Sequence, residues 1–172
     1  MNEDKAAFWF GYAMDDCDIL RANTSARAHL YAAMQVIEKA LKGYLVLNDI
    51  KFKPVHNLGL LAAKCHEHSD EFPAGLVVRV AELPSYNEIF RYPDEGEVFY
   101  PEASEVKQAI EVMNEVMDCV RSLVPELIWD NAESLVKNNR SKYLSDIKCA
   151  VCKETPCVCN RDGGGKRVVH RI

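Results

Sequence analysis

The chain has 172 residues, of which 48% are hydrophobic and 27% are charged, and its formal net charge is -5. This length and composition predict one globular domain with a real core and a small appendage. The negative balance argues against broad, nonspecific adhesion to nucleic acid or anionic membrane, although it leaves room for a local basic groove.

The N-terminal residues and the length of the apolar segments indicate where in the cell the protein is expected. The chain begins Met1-Asn2-Glu3-Asp4-Lys5, which lacks the basic start and the apolar run of a signal peptide. The longest apolar stretches, such as residues 58–63, are far too short to span a bilayer. We therefore expect a cytoplasmic protein with no membrane partner, in which the seven cysteines do not form a disulfide framework.

Apolar residues that recur every three or four positions predict helices in the first part of the chain. The first helix is expected over residues 3–21. Asn23-Thr24-Ser25 provides a break and then an N-cap for a second helix that runs to about Leu47. Farther on, His56-Asn57 leads into a short third helix.

The same periodicity predicts helices in the remainder of the chain. Residues 74–92 are expected to form one helix, kinked at Pro84, and Pro101 is placed in the first turn of the last bundle helix. That helix has one continuous apolar face, made by Val106, Ile110, Met113, Met117, Val120 and Val124. No strand pattern competes, so we predict an all-α, up-and-down four-helix bundle with a short extra helix.

The chain is divided here into three parts. Residues 1–125 are assigned to the bundle, 126–147 to a helical extension, and 148–172 to a small cysteine-rich, otherwise flexible C-terminal tail.

Four cysteines of the tail lie close together, and two close thiolate pairs are the usual construction of a tetrahedral zinc site. The gap between the pairs is shorter than in a common zinc ribbon. A reduced, disordered tail and a redox pair are the alternatives to a Zn²⁺ site whose ligands would be Cys149, Cys152, Cys157 and Cys159.

Four polar residues of the second helix share one face. Gln35, Glu38, Lys39 and Lys42 stand at relative positions 0, 3, 4 and 7. One interpretation is a solvated face on which Glu38 pairs with Lys42, worth about 0.3 kcal/mol. The other is the wall of a polar cleft, in which the lysines are cations suited to phosphate.

The order of these motifs closely resembles the HEPN domain family of helical proteins. The polar face of the second helix is followed by His56-Asn57-Leu58 and then by Arg91-Tyr92-Pro93-Asp94, as in that family. Asp15-Asp16 matches an acidic pair that the first helix of the family often carries. The resemblance covers roughly residues 5–124 and implies the same helical fold. The family includes nucleotide-binding modules, RNA-cleaving toxins and toxin partners.

The resemblance also implies a set of ligand-binding residues. Cationic side chains would hold phosphate, Tyr92 would stack on a base or fix Arg91, and the carboxylates would orient the cations or bind ribose hydroxyls. His56 would donate to phosphate or act as an acid or base, with capping of the short helix as its alternative role. The full set is Asp16, Gln35, Glu38, Lys39, Lys42, His56, Arg91 and Tyr92.

The activity is less well defined than the fold. Nuclease members of the family carry an Arg followed, after four to six residues, by a His, and no Arg of this chain has that spacing. We therefore expect a module that binds a nucleotide or RNA phosphate without catalysis, part of a toxin–antitoxin-like or defence system. It would be a homodimer or stand beside a nucleotidyltransferase partner. The alternatives are a metal-independent endoribonuclease with relocated residues, such as His56 with Arg91, and a structural protein–protein interaction domain.

Overall fold

The computed structural model describes residues 1–21, 25–53, 56–83 and 100–146, with side chains up to residue 142. Within these ranges the chain forms six helices and no strand, which confirms the all-α class. Met1–Val136 form one compact unit, and Lys137–Ile172 are assigned to a second. The helices are α1 (Asn2–Arg21), α2 (Ala26–Leu47), α3 (Leu58–His68), α4 (Ala74–Ala81), α5 (Ala103–Leu123) and α6 (Glu126–Asp146).

Side-chain caps explain where α2 and α3 begin. The Ser25 side chain accepts a hydrogen bond from the backbone N–H of Ala28 at 3.3 Å. The Asn57 side chain accepts one from the N–H of Leu60 at 3.0 Å. Each bond satisfies one of the amide groups that the first turn of a helix leaves unpaired. The predicted cap at Ser25 is confirmed, whereas α3 is capped by Asn57, so capping by His56 is wrong.

Two other predicted features differ in the structure. The helix expected over 74–92 is interrupted after Ala81, with Leu83 outside it, and the part of the prediction from residue 84 onward lies outside the described residues. Leu83 precedes a proline, and a residue in that position avoids helical backbone angles. Pro101 lies two residues before α5 rather than in its first turn, because Glu102 is the N-cap in a capping box with Glu105.

The central helix of the compact unit is α2, which packs against α1, α3 and α5. More than half of its residues are buried, including fully buried Leu30, Ile37, Leu41 and Leu45. Each such side chain contributes about 1.5–3 kcal/mol on leaving water. Other helices must pack against such an apolar helix on several sides. Any polar side chain that it buries requires a hydrogen-bond or ion-pair partner.

The first turns of α6 belong to the same core as α1 and α2. Ile128, Trp129 and Ala132 are buried, and the Trp129 ring stacks on Phe10 of α1 with 4.3 Å between ring centroids. The division of the chain at residues 125 and 147 stays a prediction, and the cysteine-rich tail lies outside the described residues.

A glycine allows α1 to approach α2 closely. A Cβ atom built on Gly43 would lie 2.5 Å from Cε1 of Phe10. This close contact brings α1 against α2. It thereby places Trp9 and Asp16 of α1 beside the polar residues of α2.

Across the residues that the structure describes, every helix is either too short or too polar to serve as a bilayer span.

Candidate functional site

Charged side chains of α1 and α2 meet a histidine from the segment before α3. We call this group, made by Asp16, Glu38, Lys39, Lys42 and His56, the polar cluster. Glu38 and Lys42 are the only charged residues that are buried in the described part of the chain. Their position on an otherwise apolar helix means that the cluster is built into the core boundary rather than spread over the surface.

The inner part of the polar cluster is an ion pair. Lys42 Nζ donates to Glu38 Oε1 at 2.6 Å, and the two side chains are only 8% and 6% exposed. Lys42 Nζ also lies 5.4 Å from the centroid of the Trp9 ring, within the range of a cation–π contact. The interpretation of Glu38 and Lys42 as a solvated surface pair is therefore wrong, because both charges have left water.

His56 connects this inner pair to solvent. Its Nδ1 lies 3.0 Å from Glu38 Oε1 and 3.2 Å from Oε2, yet 57% of the side chain is exposed. A carboxylate only accepts, so we assign the proton to Nδ1, which leaves Nε2 of the neutral ring as an acceptor. Glu38 thus fixes both the orientation and the tautomer of an exposed imidazole.

The outer part of the polar cluster is a second ion pair. Lys39 Nζ donates to Asp16 Oδ2, and both side chains are partly buried. Burial raises the pKa of Asp16 above its ordinary value, while the hydrogen bond and the charge of Lys39 oppose that rise. This pair therefore joins α1 to α2 across the opening of the site.

The charges of the two ion pairs balance, so an anion at the polar cluster would have to be held by N–H groups that the carboxylates do not use. An ammonium group has three N–H donors, and the contact with a carboxylate uses one of them on each lysine. Lys39 is the more accessible of the two lysines, and His56 stands beside the inner pair with an open nitrogen. These groups could surround a phosphate with donors, provided that His56 is protonated or turns toward the ligand.

The remaining predicted site residues have different outcomes. Gln35 lies on α2 one turn before Glu38 and is half-buried. Arg91 and Tyr92 lie outside the described residues, and so do all four proposed zinc ligands, Cys149, Cys152, Cys157 and Cys159. In the described ranges, no three side chains of His, Cys, Asp or Glu are grouped so that they could hold a metal ion.

Trp9 is a site residue that the sequence analysis missed. It stands seven residues before Asp16 on α1, a spacing that places both on one face of a helix. This seven-residue spacing from Asp16 could have identified Trp9 as a neighbour of the site from the sequence. Its contact with Lys42 shows that α1 contributes an aromatic wall as well as a carboxylate.

The fold and the site define a small all-helical protein with a buried ion pair beneath an exposed histidine. The model of the HEPN domain family matches residues 6–123, which is more than half of the chain and includes the whole polar cluster. The chain therefore belongs to the HEPN domain family, as its motifs predicted, and membership makes it a nucleotide- or RNA-associated helical module. No curated protein and no solved structure matches it.

Proposed function

We propose that this protein is a HEPN module that binds the phosphate of a nucleotide or of RNA at the polar cluster. The observation that carries the proposal is the geometry of His56. Its ring is held at Nδ1 by Glu38, which also accepts from Lys42, and 57% of the side chain is exposed. In its doubly protonated form this imidazole would donate from Nε2 to a phosphate oxygen, in a cluster that also holds two ammonium groups.

Binding is favoured over catalysis by the sequence. The Arg and His spacing of the family's nucleases is missing, and metal-independent RNA cleavage requires an acid or base beside a cation that stabilises the developing charge. The pairing of His56 with Glu38 favours a second candidate, an endoribonuclease that uses His56 as its acid or base. In that candidate Arg91 would supply the cation.

Titration of labelled single-stranded RNA, followed by fluorescence anisotropy, tests both candidates. Lys39→Gln should weaken binding about tenfold, because it removes the accessible ammonium group. The matched control is Lys107→Gln, since Lys107 is an exposed lysine on α5. AMP should compete with the RNA. Equal binding by wild type and Lys39→Gln would contradict the phosphate site, and RNA that is shortened during the titration would establish the second candidate.

The proposal includes a homodimer, and the outer face of α1 supports it. Phe8, Tyr12 and Ile19 are exposed on this helix and recur at helical spacing over roughly 16 Å. Light scattering coupled to size exclusion should give twice the chain mass, and Tyr12→Glu should give the monomer. Leu127→Glu, at another exposed leucine, is the control. A monomeric wild type would refute this part.

A nucleotidyltransferase partner and a role in a toxin–antitoxin-like or defence system complete the proposal. Their support is that some members of the family are toxins or toxin partners and that the nuclease spacing of Arg and His is missing here. If the protein bound no phosphate ligand but retained a protein partner, it would instead be a structural interaction domain, the third alternative. Co-purification of the protein with the product of a neighbouring nucleotidyltransferase gene tests the partnership.

A further inference from the structure

A cavity lies beside α3, away from the polar cluster. The segment 51–53 and α3 border a cavity of about 470 Å³, none of whose lining residues belongs to the polar cluster. Its apolar lining residues are Phe52, Leu60, Leu61 and Ala63. Leu60 is 56% exposed, so the cavity presents apolar surface to solvent. Volumes of this size and apolar walls are typical of sites for small organic molecules.

Three lysines stand around this apolar floor. Lys51, Lys53 and Lys64 line the cavity together with a single acidic residue, Glu67. No carboxylate in the described part of the chain lies within ion-pair distance of any of the three lysines. The lysines of the polar cluster are both paired, whereas these three have no carboxylate partner among the residues that the structure describes.

We propose that this cavity binds a small organic anion that has an apolar body and one carboxylate, sulfonate or phosphate group. The apolar body would cover Leu60 and Leu61 and pack against Phe52, which removes apolar surface from water. The anionic group would be held by the lysines at the rim, whose methylene stems extend the apolar wall. A bare inorganic anion has no apolar surface to place against this floor. The apolar body of the ligand is therefore needed for recognition.

The size of the cavity favours a small molecule over the docking of one protein side chain. A site of about 470 Å³ falls within the range that holds most of a compact ligand. A single inserted side chain would leave apolar surface uncovered. The ligand class is therefore a compact amphipathic anion rather than a peptide anchor.

The fluorescent anion 8-anilinonaphthalene-1-sulfonate is a direct probe, because it combines an apolar aromatic body with one sulfonate. Its emission should rise on addition of the folded full-length protein and saturate at one site per chain. Decanoate should displace it, whereas inorganic phosphate at the same concentration should not. Leu60→Asp and Lys64→Glu should each weaken probe binding about tenfold, because the new carboxylate in the cavity would repel the sulfonate of the probe.

Matched controls separate this site from other surfaces. Leu127→Asp and Lys107→Glu make the same changes at exposed positions elsewhere, and Lys39→Gln alters the polar cluster. All three should bind the probe as wild type does, and thermal unfolding should show that each variant is folded. The proposal is overturned if Leu60→Asp and Lys64→Glu bind the probe normally, if the controls lose it equally, or if phosphate displaces it as well as decanoate does.

Discussion

Glu38 joins the two sides of the polar cluster. Its carboxylate accepts from Lys42, which is buried, and it holds Nδ1 of His56, which is exposed. A buried ion pair contributes little net stability, because the loss of hydration offsets the attraction between the charges. Removal of one partner is a different matter, because the other charge then stays in the core without compensation.

Lys42→Met should therefore lower the free energy of unfolding by about 3 kcal/mol, since the buried Glu38 carboxylate loses the ammonium group that compensates its charge. The double variant Glu38→Gln/Lys42→Met should lose less, because neither charge remains. Urea denaturation measures both values, with Lys107→Met as the exposed control. A loss below about 1 kcal/mol for the single variant would place Glu38 and Lys42 in water, as for a surface pair.

Asp16 has a pH signature of its own. Burial is the largest cause of its raised pKa, and Lys39 opposes it. Because the folded state then binds a proton more tightly than the unfolded chain does, Asp16 favours folding at low pH. That contribution is lost as the pH rises through the folded pKa.

Subtracting the unfolding free energy of Asp16→Asn from that of wild type isolates this contribution. The stability of wild type relative to Asp16→Asn should fall as the pH rises from about 4 through the raised folded pKa of Asp16. Asp130→Asn, at an exposed aspartate of α6, is the matched control. If wild type instead became more stable relative to Asp16→Asn as the pH rose, the attraction of Asp16 to Lys39 would outweigh its desolvation.

Gly43 of α2 lies directly against the Phe10 ring of α1. Alanine normally stabilises a helix interior by about 1 kcal/mol relative to glycine. At position 43 its methyl group would overlap the Phe10 ring, which cannot swing aside freely because it is stacked on Trp129. Close packing therefore opposes helix propensity at this site.

Gly43→Ala should consequently lose roughly 1–2 kcal/mol of stability, despite its better helix propensity. Gly75→Ala is the matched control, because nothing lies within 4 Å of a Cβ built on Gly75 of α4. That control should be stabilised by up to about 1 kcal/mol. Thermal and urea unfolding measure the stability of both variants. If Gly43→Ala and Gly75→Ala changed the free energy of unfolding in the same direction, the close contact at Gly43 would be refuted.

The sequence predicted helices where periodicity and caps agree. For α2, Ser25 begins the helix and Leu47 ends it as expected, because local hydrogen bonding determines both ends. For α4 the apolar pattern continued past the true end, and periodicity alone does not locate the turn before Pro84. The break before Pro84 reflects a backbone effect that the apolar pattern does not reveal, and residues 84–92 lie outside the described residues.

The site was predictable only in part. Spacing placed Gln35, Glu38, Lys39 and Lys42 on one face of a helix, but spacing cannot distinguish a solvated face from a buried one. Burial of Glu38 and Lys42 depends on how α1 packs against α2, which is a tertiary property. The partner of His56 depends on the path of the chain before α3, which no local pattern encodes.

The cysteines give a prediction for the whole chain. Burial raises the pKa of Cys17 and Cys119 and raises that of Cys65 to about 12, so these thiols should react slowly with alkylating reagents near neutral pH. If the other four hold zinc, protein purified without chelator should contain one Zn²⁺ per chain. Removal of the metal should then expose four reactive thiols. Four fast thiols before chelation, with little zinc, would refute the site at Cys149, Cys152, Cys157 and Cys159.

His56 is the residue at which a ligand of the proposed site would meet the ion pairs of the polar cluster. Its ring is the most exposed part of the polar cluster, and Glu38 holds it in one orientation. A phosphate bound at the cluster must therefore change the surroundings of this imidazole, whereas a ligand bound elsewhere on the molecule leaves them unchanged.

The most direct test is an NMR spectrum of the imidazole groups, recorded on protein with labelled histidine before and during addition of single-stranded RNA. The chain has five histidines, and His56→Gln identifies the signal of interest. The account predicts that the His56 signal shifts progressively with RNA while those of His66 and His68 on α3 stay in place. Saturable RNA binding that leaves the His56 signal unmoved would contradict it.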